Sequence, residues 1–327
     1  MSNRKIGFIT SIPFEVIYAA ECIPVDLNNL FIQSENPNAH INQAEDFGFP
    51  RNYCSWIKGT FQILREYNIR TVITVGEGEC SGSLKQAELL RRIGIECIMF
   101  SYPHSRSREA LQHEIKRLMH CFKVDQAQVD QVKSRIDEIR DMLRRVDTAS
   151  YTRHCVSGQE NFEWLISSTD VQGNIAGFHE KVSLFYSMLD QRDPVYEDHV
   201  RIGVIGIPPI ATDIFSIIEH QKGIVVYNEI PRQFSMPSFE KGLTDQYLDF
   251  TYPYDISLRI NDIRENIRLR NIDGIINYSQ SFCPRQIDDI VLKQEIDIPM
   301  ITIECDRPGR LDERNVIRIE AFLERWK

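Results

Sequence analysis

No uninterrupted apolar run in the sequence approaches the length of a membrane span, which sets aside a transmembrane protein. The first residues, MSNRKIGFITSIPFE, have a basic start but only a short apolar stretch. They read as a first β-strand and not as a signal peptide, so the expected compartment is the cytoplasm. Basic residues are in deficit: 38 Lys and Arg stand against 47 Asp and Glu, a formal net charge of −9. Such a chain repels phosphate backbones overall, which argues against a general nucleic-acid binder but leaves room for a local basic pocket. A compact C-x-x-C run is missing too, although there are eight cysteines, at 22, 54, 80, 97, 121, 155, 283 and 305. Spacing alone therefore defines no metal site. Without an export signal a disulfide framework is disfavoured, leaving ligation, catalysis or burial as small apolar residues. The segment GVIGIPPI lacks a full G-x-G-x-x-G, so it gives dinucleotide binding little support.

What remains is ordinary globular composition, 42% hydrophobic and 26% charged over 327 residues, a length that suggests two domains. Short β-branched or apolar runs at 5–10, 70–75 and 96–100 alternate with helical patterns at 12–20, 56–66 and 83–93. From about 106 to 146 the chain is charged, almost free of Gly and Pro, and periodic at helical spacing. Further helical patterns follow at 160–166 and 174–189, and this charge reads as solvated helix faces. Alternation resumes with strands at 201–207, 223–227, 273–277 and 299–303 and helices at 210–220, 255–270, 285–294 and 313–326. The pattern predicts an α/β fold of two Rossmann-like parallel-sheet lobes, 1–125 and 196–327, with a helical connecting segment at 126–195.

Topology separates the cysteines better than spacing does. Cys54, Cys80 and Cys283 fall at junctions leading into helices, and Cys80 and Cys283 also follow strands. In open α/β sheets that is the ligand-binding edge. Helix N-termini offer unpaired N–H groups and partial positive charge to thiolates. Three such thiolates could hold a [4Fe–4S] cubane with one iron left open. Taken singly, each cysteine also reads as a small buried residue. Cys22, Cys97 and Cys121 read as packing and Cys155 as structural, while Cys305, ending the strand PMITIEC, is a rival ligand. Several charged residues invite a role but have blander readings. His104 reads as a surface cap, Arg106 and Arg108 as a solvated helix start and Glu15 as a helix N-terminal charge. Glu304 and Asp306 end a strand on the favoured edge.

Four segments carry a family resemblance: IPFEVIYAAECIPVDL, YCSWIKG, ECSGSLKQAELL, and FCPRQIDDIVLKQEIDIPMITIECDRPG followed by RIEAFLE. Together they resemble the 2-hydroxyacyl-CoA dehydratase and benzoyl-CoA reductase subunit family, which includes double-cubane cluster proteins. The chain differs from that pattern at Ser81, where the family has Asp, and at Glu21–Cys22, where it has Ala-Gly. The resemblance implies that Cys54, Cys80 and Cys283 ligate a [4Fe–4S] cluster, alone or as part of a larger iron–sulfur cluster. It also implies radical dehydration or reduction of an acyl-CoA or related small molecule. Expected partners are a second copy or a related subunit, and an ATP-dependent iron–sulfur activator as electron donor. A double-cubane-type reductase of small unsaturated substrates and a non-catalytic electron-transfer subunit are the alternatives.

Overall fold

The computed structural model describes residues 4–327. Eight strands among them form two four-stranded sheets, and every pairing within each is parallel. The first sheet holds β1 (Lys5–Phe8), β2 (Ile23–Asp26), β3 (Thr71–Val75) and β4 (Glu96–Phe100) in the order β2-β1-β3-β4. The second holds β5 (Val200–Gly206), β6 (Gly223–Asn228), β7 (Gly274–Gln280) and β8 (Met300–Cys305) in the order β6-β5-β7-β8. The two orders are the same, and each reverses direction between its first and third strands. Parallel neighbours need crossovers, and helices supply them. This is the α/β fold with two Rossmann-like sheets that the alternating pattern predicts.

The chain divides into two compact units, one for each sheet. Among the described residues the first comprises 4–141, 167–181 and 236–255; the second comprises 142–166, 182–235 and 256–327. Inner strands are buried because helices cover both faces. β3 (TVITV) and β7 (GIINYSQ) are buried at every position. The second unit's core gathers Ile205, Ile224, Val226, Ile263, Ile275 and Leu292. β6 lies at a sheet edge yet is fully buried, because the helix Gly158–Ile166 lies against it. That approach requires glycine, since a Cβ at Gly158 would come within 2.7 Å of Val225 Cβ.

Local chemistry explains several helix limits. Ser107 opens Arg108–Phe122 by accepting the Ala110 N–H, and Asp312 opens Glu313–Leu323 by accepting the Asn315 N–H. Pro37 begins Pro37–Phe47, whose preceding Asn36 accepts the Ala39 N–H. The 27-residue helix Gln126–Thr152 buries Val129, Ile136, Ile139, Leu143 and Val146, a stripe at helical spacing.

Candidate functional site

In the first unit, two cysteines occupy equivalent local positions. Cys54 is the N-cap of Ser55–Glu66 and Cys80 the N-cap of Ser81–Arg92. Both have extended-type ψ, 124° and 157°, and neither side chain caps its helix. Their sulfurs therefore stand where a first helical turn presents unpaired N–H groups without being committed to them. The two helices pack together, with Gln86 Nε2 donating to Ile57 O and Thr60 Oγ1 at 3.0 and 3.1 Å.

The loops around Cys80 are fixed from below. Its N–H donates to Glu79 Oε1 at 2.8 Å, and the other oxygen of that carboxylate accepts from Thr10 Oγ1. Thr10 follows β1 and Glu79 follows β3, so this pair spans the point where the strand order reverses. In doubly wound sheets ligands bind there. Gly78 has φ +99°, and a Cβ on it would meet Tyr102 Cβ at 2.8 Å. Only glycine tolerates both the torsion and the approach.

Tyr53 belongs to the same locality. A Cβ at Gly82 would lie 3.1 Å from the Tyr53 hydroxyl and 3.4 Å from Cys80 Sγ. Burial, and after it the charges of Cys80 and Cys54, push the Tyr53 phenol above its ordinary range. Near these helices, Ser83 Oγ and Trp56 Nε1 are buried without a hydrogen-bond partner, as is Ser11 Oγ in the loop after β1. Buried polar atoms of this kind normally have one, so these atoms have capacity for a further group.

In the second unit, Cys283 is the N-cap of the 3-10 turn Pro284–Ile287, again without a side-chain capping bond. It follows β7, the third strand of its sheet, as Cys80 follows β3. Its backbone is set by Cys283 N–H donating to Gln280 O and Gln286 N–H donating to Cys283 O, both at 3.1 Å. Gln280 is fully buried, and its Oε1 also lacks a partner.

The other cysteines sit differently. Cys305 ends β8; its thiol donates to Arg307 O at 3.5 Å and meets the Tyr278 hydroxyl. Burial pushes that thiol up, which favours its protonated form. Cys155 is buried in an apolar cluster with Val146, Phe185 and Leu189. Cys22 is buried, and Cys97 donates to Ala87 O at 3.6 Å with its pKa raised by burial. Cys121 departs from the packing expected of it and is exposed. All eight cysteines are thiols, outside any disulfide. Among the described residues, no group of three or more His, Cys, Asp or Glu is placed to hold a single metal ion.

The charged residues read from the sequence resolve mostly into structure. Arg108 makes two bonds to Asp245, at 2.6 and 2.9 Å, and Arg106 donates to Leu248 O at 3.0 Å. His104 is exposed, and its N–H donates to Glu77 Oε1. Glu15 opens the helix Glu15–Ala19, the helix N-terminal charge expected of it, and is fully buried there, 2.7 Å from Arg140 Nη2 and 3.0 Å from the Tyr247 hydroxyl. Its partners lie more than a hundred residues away, so neither local pattern nor spacing could pair them. Tyr53 was also missed: adjacency to Cys54 was visible, but its return toward Gly82 was not.

Compared with known families, the chain matches the one described as 2-hydroxyglutaryl-CoA dehydratase, D-component, over residues 9–325. No curated protein matches it.

Proposed function

Because the chain belongs to the 2-hydroxyglutaryl-CoA dehydratase D-component family, we propose that it is a subunit of an iron–sulfur enzyme that dehydrates or reduces an acyl-CoA or related small molecule. In this reading Cys54, Cys80 and Cys283 supply thiolates to one [4Fe–4S] cluster and leave one iron without a protein ligand. The observation that carries it is positional. These three cysteines stand at the N-caps of helical turns, whereas Cys305 ends a strand, Cys155 lies in an apolar core and Cys97 lies within a strand.

The donor chemistry fits the group. Thiolates are the usual ligands of iron–sulfur clusters, and helix starts favour the anionic form. A three-donor nest for a single ion, which the described residues do not form, is not what a cubane needs, because it takes each thiolate on a different iron. The unpartnered Ser83, Trp56 and Ser11 atoms leave hydrogen-bonding capacity in the two cysteine-led helices and in the loop after β1. When bound, such a cluster takes up one electron and offers its unligated iron as a Lewis acid to a substrate oxygen. The chain's own residues hold and orient. Glu79 fixes the Cys80 backbone, and Thr10 fixes Glu79. As a D-component, the chain would work with a related subunit or a second copy, in the cytoplasm, and receive its electron from an ATP-dependent iron–sulfur activator.

The test is the EPR spectrum of the reduced, anaerobically prepared protein. An exchangeable iron predicts that an added CoA thioester perturbs the signal, and that Cys305→Ser retains both cluster and response. A signal indifferent to the thioester, with cluster loss in Cys305→Ser, would instead indicate a closed electron-transfer centre.

A further inference from the structure

We infer that Tyr53 is a positioning residue whose hydroxyl hydrogen-bonds to sulfur on the Cys54–Cys80 side of the proposed cluster and eases its one-electron reduction. The inference rests on the cluster reading above and adds to it a residue outside the ligand set.

Three observations carry it. Tyr53 immediately precedes the N-cap Cys54, yet its hydroxyl reaches the start of the next cysteine-led helix, where it and Cys80 Sγ crowd the same face of Gly82. The ring packs on Phe49 at 6.1 Å between centroids and helps wall a cavity of about 420 Å³ with Lys85 and Leu89. Phenylalanine would fill that wall as well, so packing does not explain the oxygen. The Tyr53 side chain is half-buried, and its hydroxyl stands on the side of Gly82 where Cys80 Sγ lies. A donor in that situation gains by bonding an anionic sulfur. Hydrogen bonds to cluster sulfurs are among the factors that set reduction potential, since they stabilise the added negative charge. Gly82 follows from the same geometry: a methyl there would press on both the hydroxyl and the sulfur.

The experiment compares wild type, Tyr53→Phe, Gly82→Ala and the variant carrying both changes as full-length, anaerobically reconstituted proteins. Iron and sulfide per chain are measured first, then the one-electron midpoint by EPR-monitored titration. Tyr53→Phe is expected to keep its iron and become about tenfold harder to reduce, a fall of ~59 mV. Gly82→Ala should shift the midpoint in the same direction, with no further fall when the two changes are combined. Full iron with an unmoved midpoint in Tyr53→Phe overturns the role of Tyr53 and leaves the cluster reading standing. A wild-type protein that takes up no cluster overturns both.

Discussion

At Asp170 one side chain holds two pieces of backbone. Its Oδ2 accepts the Asp26 N–H at 2.8 Å and its Oδ1 accepts the Gln172 N–H at 2.9 Å. The held segment is strained: Val171, Gln172 and Gly173 have φ of 46°, 54° and 69°. A buried β-branched residue in that region costs on the order of 1–3 kcal/mol, so the surrounding bonds must enforce it. Burial, and then the charge of Asp26, push Asp170 up to about 7; burial also raises Asp26. Folded-state values above the unfolded one, ~3.9, give stability that is complete below that pH. It is lost as pH rises through about 7. Urea unfolding at pH 5.5 and 8.5 should therefore show an Asp170-dependent fall in wild-type stability of about 2 kcal/mol, at roughly 1.4 kcal/mol per pKa unit, that Asp170→Asn largely lacks. Equal pH dependence in the two proteins would contradict the assignment.

At the scale of elements, close approach decides which changes are tolerated. Gly158→Ala places a methyl 2.7 Å from Val225 Cβ, where the helix Gly158–Ile166 lies on β6. Overpacking of this kind costs about 1–3 kcal/mol, so thermal unfolding should come several degrees earlier. An unchanged midpoint would show that the helix can move off the strand freely. The strongly patterned elements were legible in advance. β4 spans 96–100 as read, and β3 differs from its reading by one residue at its start. β2 was missed because IPVD is four residues long and contains Pro24; its place at the edge of the sheet is what admits a proline. The short helices Leu27–Ile32, Glu229–Phe234 and Leu243–Leu248 were missed too, since one or two turns give periodicity little to act on. The helix read from 285 begins as the 3-10 turn Pro284–Ile287, a start that a 3.6-residue period does not distinguish.

Across the whole molecule, the repeated strand order makes the site intelligible. Cys80 and Cys283 are the cysteines that follow the third strand of each sheet, a correspondence carried by topology without evident identity between the two halves. Their junction positions could be read from the sequence because the strand before each and the helix after it are patterned. The supporting bonds could not: Thr10 with Glu79 and Glu15 with Arg140 join segments far apart in the chain, and only folding pairs them. Among the described residues, no helix is long and apolar enough to cross a membrane, as the hydropathy indicated. The central claim, joint ligation by Cys54, Cys80 and Cys283, is tested most directly by iron content after anaerobic reconstitution. Cys54→Ala, Cys80→Ala and Cys283→Ala should each lose most of the bound iron, while Cys97→Ala and Cys121→Ala keep it. Equal iron in all five variants would contradict the account.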